Sequence, residues 1–168
     1  PEGFTPKNCS PEFLEKQIRS LKKMGVKGLY RCGYWDLPGL EGPAYYVYGQ
    51  LWHREEMKGE QLFDEYCTRV FGAAAPEMKK FYTLLYSRQN FSVLPKGETR
   101  WSHHLRTLRK VGDLAPNQAL FAKRYAPEVM AELNTLLKQA LPKMTTPAAR
   151  WIKPFIEREF RYLESTAN

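Results

Sequence analysis

The chain has 168 residues, 43% of them hydrophobic and 14% aromatic, which is enough for one buried core and too little for two large ones. This composition excludes a disordered chain, and a mean hydropathy of −0.56 argues against a membrane protein. The charge-free stretch from Gly42 to Trp52 is far shorter than the roughly 20 apolar residues of a spanning helix. We therefore predict one compact unit that does not cross a membrane.

The net charge is +8, and residues 91–168 hold thirteen basic and seven acidic residues, which gives +6 of that excess. A basic excess attracts nucleic acid or anionic glycans, and it also arises on an ordinary solvated surface. The solvated surface is the favoured interpretation.

The first residues show no secretion signal, which fits either a cleaved signal or a part of a longer protein. The longer protein is favoured, and a periplasmic or secreted location is expected only if that protein carries a signal peptide. The three cysteines, Cys9, Cys32 and Cys67, are too sparse for a disulfide scaffold. Their odd number predicts at least one free thiol.

The first predicted helix follows Ser10, a capping hydroxyl, with Pro11 at its first position and Gly25 as its stop. The compact run 26–34 then predicts a strand, the one convincing strand signal of the sequence. A loop rich in glycine and proline follows, and the next helix is predicted to begin at Pro43.

The rest of the sequence shows helical periodicity. One helix is predicted after the charged link 53–59, with Gly72 as its stop, and Pro76 opens another. After a polar connection at 90–99, no strand signal appears, and Pro154 is expected to kink the last helix. The predicted apolar stripes are Leu62, Phe63, Tyr66 and Val70; Met78, Phe81, Tyr82 and Leu85; Trp101, Leu105 and Leu108; Val129, Leu133, Leu136, Leu137 and Leu141; and Trp151, Ile152, Phe155, Phe160 and Leu163.

A lone strand needs partners for its backbone hydrogen-bonding groups, and this sequence does not supply them. The simplest explanation is that the chain is the C-terminal part of an alternating helix–strand protein, with one last helix–strand–helix unit and an appended helical region.

Two stretches, 25–30 and 45–52, resemble the end of a large bacterial family of glycoside-hydrolase-like barrels. Its members accompany polysaccharide degradation and are similar to α-glucuronidases and β-hexosaminidases. In the family, the tyrosine-rich helix runs into a tryptophan, a short link, a helix that ends in Phe-Gly and a helix that starts with Ala-Pro. This sequence has Trp52, then Phe71-Gly72, then Ala75-Pro76. Residues 125–140 and 158–163 resemble the family's helical tail.

The resemblance implies a mainly α chain, with the final helix–strand–helix unit of a (β/α)8 barrel in residues 1–58 and a C-terminal helical region in residues 59–168. The missing N-terminal part of the barrel would be its partner and would hold the paired catalytic carboxylates, because these usually sit on middle strands. The expected function is that of the C-terminal part of a carbohydrate-active enzyme, which supplies scaffold and sugar-binding residues and is inactive by itself.

Tyr34, Trp35 and Asp36 follow the predicted strand directly, so the resemblance would put them on the active face of the barrel. An aromatic ring stacks on a sugar face and a carboxylate accepts hydrogen bonds from hydroxyls, which makes the three residues candidates for substrate binding. In the alternative interpretation, the two aromatic side chains belong to the core and Asp36 starts a turn. Arg31 or Cys32 stands where the family most often has an acid.

No metal or cofactor is predicted. His103 and His104 are neighbours, which point about 100° apart on a helix and do not converge on a metal ion. Cys32 and Cys67 are predicted to be small buried hydrophobic residues rather than nucleophiles. The glycines match no phosphate-binding spacing. Two acid pairs, Glu55-Glu56 and Asp64-Glu65, are expected at exposed helix termini, where they favour the helix dipole.

The alternative function is a non-enzymatic helical module that binds an anionic partner, nucleic acid or acidic glycan, through its basic C-terminal half. The basic residues concerned are Arg106, Arg109, Lys110, Lys123 and Arg124, with Trp101, Phe121 and Tyr125 interleaved. They lie in no recognisable nucleic-acid-binding module, so nucleic acid is not the favoured partner.

Overall fold

A computed structural model describes residues 9–28, 37–88 and 125–167. Helices account for 83% of these residues, and none of them lies in a strand, so the predicted mainly α class is confirmed for the described part of the chain. The helices are α1 (Pro11–Lys23), α2 (Pro38–His53), α3 (Gly59–Phe71), α4 (Ala75–Ser87), α5 (Pro127–Ala140) and α6 (Pro147–Ala167), with short 3-10 turns at Gly72–Ala74 and Leu141–Lys143.

The start and the stop of α1 are those that the sequence predicts. The Ser10 hydroxyl accepts a hydrogen bond from the Phe13 backbone N–H at 3.4 Å, and Pro11 begins the helix. Beyond the last turn, Gly25 has a φ of 81°, in the left-handed region that glycine adopts at no steric cost. Leu14 and Ile18 are buried, as their spacing predicts.

The predicted strand over 26–34 is not observed where the structure describes it. Residues 26–28 are not in a strand. Residues 29–34 lie outside the described part of the chain.

The second helix begins five residues earlier than predicted, at Pro38 instead of Pro43. Its first backbone N–H groups find a partner that is distant in sequence: the Glu159 carboxylate of α6 accepts hydrogen bonds from Gly39 N–H at 3.2 Å and Leu40 N–H at 2.8 Å. The residue at the N-cap, Leu37, makes no side-chain cap. A carboxylate on another helix therefore caps the N-terminus of α2, a role that usually belongs to a Ser, Thr, Asp or Asn at the N-cap position.

Pro43 lies inside α2 and has no N–H to donate to the carbonyl of Gly39, four residues earlier. The Tyr82 hydroxyl of α4 donates to that carbonyl instead, at 2.6 Å. One turn further along α4, the Tyr86 hydroxyl donates to the Leu40 carbonyl at 2.9 Å. The proline is tolerated because a buried phenol replaces the missing donor.

Carboxylate capping from another helix recurs at the start of α3. The Gly59 N–H donates to Glu15 of α1 at 2.7 Å, and the Lys58 N–H donates to the Gln61 side chain at 2.9 Å. As predicted, α3 stops at Gly72, which has a φ of 53°. The 3-10 turn that starts there leads into α4, so this helix begins at Ala75, one residue before the predicted Pro76.

The last two helices each begin at a proline, Pro127 and Pro147. Pro127 opens α5, and Thr146 caps α6 by accepting a hydrogen bond from Ala149 N–H at 3.0 Å. The Thr146 hydroxyl also donates to the Val70 carbonyl and thereby joins the start of α6 to α3. Pro154 lies inside α6 on an exposed position, and the helix runs through it.

The core is one contiguous cluster to which every one of these helices contributes. In the described part, α2 packs against α1, α3 and α6, while α4 packs against α3 and α5. Fully buried aromatic residues at the centre include Phe63, Phe71, Phe81, Tyr82 and Tyr86. Residues on both sides of the predicted boundary at 58/59 belong to this core.

A first prediction concerns the close approach of α2 and α6 at Gly39. A Cβ added there would lie 2.5 Å from the Ile156 backbone nitrogen and 2.7 Å from the Phe155 carbonyl carbon. We expect Gly39→Ala to destabilise the protein by about 1–3 kcal/mol or more in urea unfolding. The control is Gly49→Ala in the same helix, where no atom lies within 4 Å and the exchange should stabilise by up to about 1 kcal/mol. Equal effects of the two substitutions would contradict the close approach.

A second prediction concerns the phenol that compensates for Pro43. Tyr82→Phe leaves the buried Gly39 carbonyl without its donor and should cost about 1–3 kcal/mol. Restoring a backbone N–H with Pro43→Ala should reduce that cost by about 1 kcal/mol, which a double-mutant cycle in urea measures. Strict additivity of the two substitutions would show that they do not act on the same carbonyl.

Candidate functional site

A cavity of about 280 Å³ opens between α2, α3 and α6. Two thirds of its lining is aromatic or otherwise bulky and apolar, and it sits at the N-terminal end of α2. The lining residues are Pro38, Gly42 and Tyr45 of α2, Tyr66 of α3, and Trp151 and Ile152 of α6. Aromatic walls around a shallow cavity suit a flat apolar ligand face, such as that of a sugar ring.

Tyr66 forms one wall of this cavity and is held in place by other rings. Its ring centroid lies 5.5 Å from that of Tyr46 and 5.9 Å from that of Phe71, the latter edge to face. Burial raises the pKa of Tyr66 well above the usual value of a phenol. A Cβ on Gly42 would lie 2.5 Å from the Tyr66 hydroxyl, so the glycine leaves room for that hydroxyl at the cavity wall.

Trp151 stands at the opposite wall and is 64% exposed. The next residue, Ile152, is buried, and consecutive helical residues point about 100° apart, so the core position of Ile152 directs the indole outward. The indole packs on Phe155, with 5.1 Å between the ring centroids. The site therefore combines a supported tryptophan on the surface with two tyrosines deeper in.

Sequence reasoning placed Trp151 in the apolar stripe of the last helix, which is wrong, because the indole faces solvent. The helical spacing indicates the exposed position of Trp151. The buried residues of this helix are four, four and three positions apart, and Trp151 lies outside their stripe; they are Ile152, Ile156, Phe160 and Leu163. Tyr45 and Tyr66 were expected to pack in the interior. Nothing in their spacing shows that they meet Trp151.

The three residues predicted from the sequence to bind substrate, Tyr34, Trp35 and Asp36, lie outside the described residues. Their assignment stays a prediction. Pro38, which lines the cavity, follows Asp36 by two positions in the sequence.

Two carboxylates are buried in the described part of the chain, Glu41 and Glu159. Glu159 is 3% exposed, and its two oxygens accept the Gly39 and Leu40 N–H groups. Burial raises the pKa of Glu159, while these hydrogen bonds and Arg158 act in the opposite direction. The contacts of Glu159 are those of a helix cap. Because the carboxylate is buried, a ligand in solution does not reach it.

The acid pair Asp64-Glu65 is not at a helix terminus, which corrects the expectation for these two residues. Both lie in the middle of α3. Glu65 accepts a hydrogen bond from the Tyr46 hydroxyl at 2.7 Å and from Arg54 at 2.8 Å, and these bonds lower its pKa. Asp64 pairs with Lys79.

Glu55 lies between α2 and α3 and pairs with Lys22 at 2.6 Å. This ion pair ties the end of α2 to α1, and the Lys22 ammonium also donates to the Trp52 carbonyl at 2.8 Å. The contacts of Glu55, Asp64 and Glu65 thus join helices to one another, and none of these carboxylates is placed as a free acid or base.

Cys67 is buried in α3, as expected of a small hydrophobic residue, and it is a free thiol. Burial, reinforced by Asp64, raises its pKa to about 12. Cys32, His103 and His104 lie outside the described residues, as do the five basic residues of the alternative function.

Metal ligands and membrane spans were searched for in the residues that the structure describes. No three His, Cys, Asp or Glu side chains come together there as a metal ion would require. Over the same residues, no helix combines the length and the apolar character needed to span a bilayer.

No family model, curated protein or solved structure matches the chain.

A third prediction follows from the burial of Cys67. With a pKa of about 12, only about one thiol in ten thousand is a thiolate at pH 8. We expect iodoacetamide to leave Cys67 unmodified in the native protein at pH 8 and to alkylate it fully in urea, as read by mass spectrometry of its peptide. Rapid alkylation of native Cys67 would contradict its burial and its interpretation as a small hydrophobic residue.

Proposed function

We propose that this chain is part of a carbohydrate-active protein and that the aromatic cavity between α2, α3 and α6 binds a sugar ring. The observation that carries the proposal is Trp151, a 64% exposed indole at the mouth of a cavity walled by Tyr45 and Tyr66. Large exposed aromatic side chains are costly for a protein to keep in water, and at the edge of a cavity they commonly serve binding.

The arrangement fits a sugar in both shape and chemistry. Pyranose rings present C–H groups on their faces and hydroxyls around their edges, so one face stacks on an indole while the edge reaches polar groups. The phenol of Tyr66 stands at the wall as a polar group, and the backbone is close at Gly42 and Pro38. The indole is held by Phe155, which reduces the entropy lost when a ligand binds.

The barrel assignment is part of the same proposal. In it, α1 and α2 are the helices on either side of the last strand of a (β/α)8 barrel, and α3 to α6 belong to the helical region that follows. Its support is the resemblance of residues 25–30 and 45–52, together with the helix order of the described residues. The paired catalytic carboxylates are expected on the middle strands of the barrel, and Glu159 is not one of them in this proposal, because both of its oxygens cap α2.

A fourth prediction tests the sugar site. Affinity gel electrophoresis identifies the polysaccharides that retard the chain. Trp151→Ala should weaken binding to these polysaccharides by about 1–3 kcal/mol, because the stacking platform is removed. Thermal stability should change little, since the indole is mostly exposed.

The matched control is Phe13→Ala, which removes a 39% exposed aromatic ring from α1, outside the cavity lining. It should leave the affinity unchanged. An affinity that survives Trp151→Ala, or a chain that no polysaccharide retards, would refute the proposed function.

A further inference from the structure

The surface of α6 that continues outward from the cavity carries a row of four side chains, Trp151, Phe155, Arg158 and Tyr162. We call it the α6 face. The steps of four, three and four residues place these side chains on one side of the helix. At 1.5 Å per residue the row is about 16 Å long. The row is therefore longer than a single sugar ring.

Three side chains of the α6 face, Trp151, Phe155 and Arg158, are in contact through the Phe155 ring. The Trp151 and Phe155 rings lie 5.1 Å apart, and the Arg158 guanidinium carbon lies 5.2 Å from the centre of the Phe155 ring. Tyr162 is 39% exposed at the far end. The aromatic contacts hold the guanidinium beside the rings, with its N–H groups available at the surface.

The charges along the exposed part of α6 are mostly positive, and Arg158 is the one that lies within the row of the α6 face. Arg150, Arg158 and Arg161 are exposed and Lys153 is partly so, whereas the two acids between residues 150 and 162 are Glu157, half-buried, and Glu159, buried as a cap. No described carboxylate forms a salt bridge with Arg158. A ligand lying along this face therefore meets the positive charge of Arg158 beside aromatic rings.

We propose that the α6 face binds a linear polysaccharide that carries carboxylate groups, with one sugar ring in the cavity and the following units along α6. This inference rests on the proposed function. Trp151 and Phe155 offer their rings to the sugar units, and the planar guanidinium of Arg158 accepts a carboxylate in a bidentate pair. A neutral glycan would leave the Arg158 charge without a partner, so the face selects acidic chains.

The experiment compares polygalacturonate with its fully methyl-esterified form, which has the same backbone without the charge. Binding is measured by isothermal titration calorimetry in about 0.15 M salt, where long-range attraction is screened. We expect polygalacturonate to bind at least about tenfold more tightly than the ester. Arg158→Gln should remove that difference, so that the variant binds the two polymers equally.

Arg161→Gln is the matched control, because it removes the same charge from the same helix. On a spacing of about 100° per residue, Arg161 lies about 80° around the helix from Trp151 and so outside the row of the α6 face. Its guanidinium already donates to the Glu157 carbonyl at 3.2 Å. We expect this variant to keep the preference for polygalacturonate.

Four results would overturn the inference. Equal affinities for the two polymers would refute the selection of acidic chains while the sugar site stands, and binding of neither polymer would refute the proposed function as well. An equal loss in Arg158→Gln and Arg161→Gln, or equally tight binding of single-stranded DNA, would show a general anion-binding surface instead of a glycan site.

Discussion

The backbone groups in the first turn of α2 are satisfied by side chains from α4 and α6. Glu159 accepts the Gly39 and Leu40 N–H groups, while Tyr82 and Tyr86 donate to the carbonyls of the same two residues. All these partners are buried, where an unsatisfied backbone group costs the most. The position of α2 is therefore fixed from both sides by hydrogen bonds, and α2 is the helix against which α1, α3 and α6 pack.

The same constraint builds the cavity. Gly39 lets the backbone of α2 approach that of α6, since any Cβ would meet the Ile156 nitrogen at 2.5 Å. That approach sets Pro38 and Tyr45 opposite Trp151. If α2 and α6 lay further apart, the space between them would hold water or other side chains. The aromatic cavity therefore depends on the anchoring of α2.

Several of the described carboxylates cap helices or form salt bridges between helices. Glu15 and Glu159 cap helices that start near them in space, and Glu55, Glu65 and Glu77 pair with Lys22, Arg54 and Lys143 at 2.6–2.8 Å. These pairs lower the pKa of Glu55, Glu65 and Glu77. Among the described residues, no salt bridge joins the exposed arginines of α6 to a carboxylate, and this contrast leaves a positive surface on α6.

The sequence by itself determined features that depend on neighbouring residues. The Ser10 cap, the stops at Gly25 and Gly72, the prolines that open α1 and α5, and the burial of Cys67 follow from local hydrogen bonding, allowed backbone angles and helical periodicity. Only the tertiary structure decided where α2 begins, because its cap, Glu159, is 120 residues away from Gly39. It also decided that Trp151 lies with Tyr45 and Tyr66, since helix packing, which no local pattern encodes, brings three separate helices to one cavity.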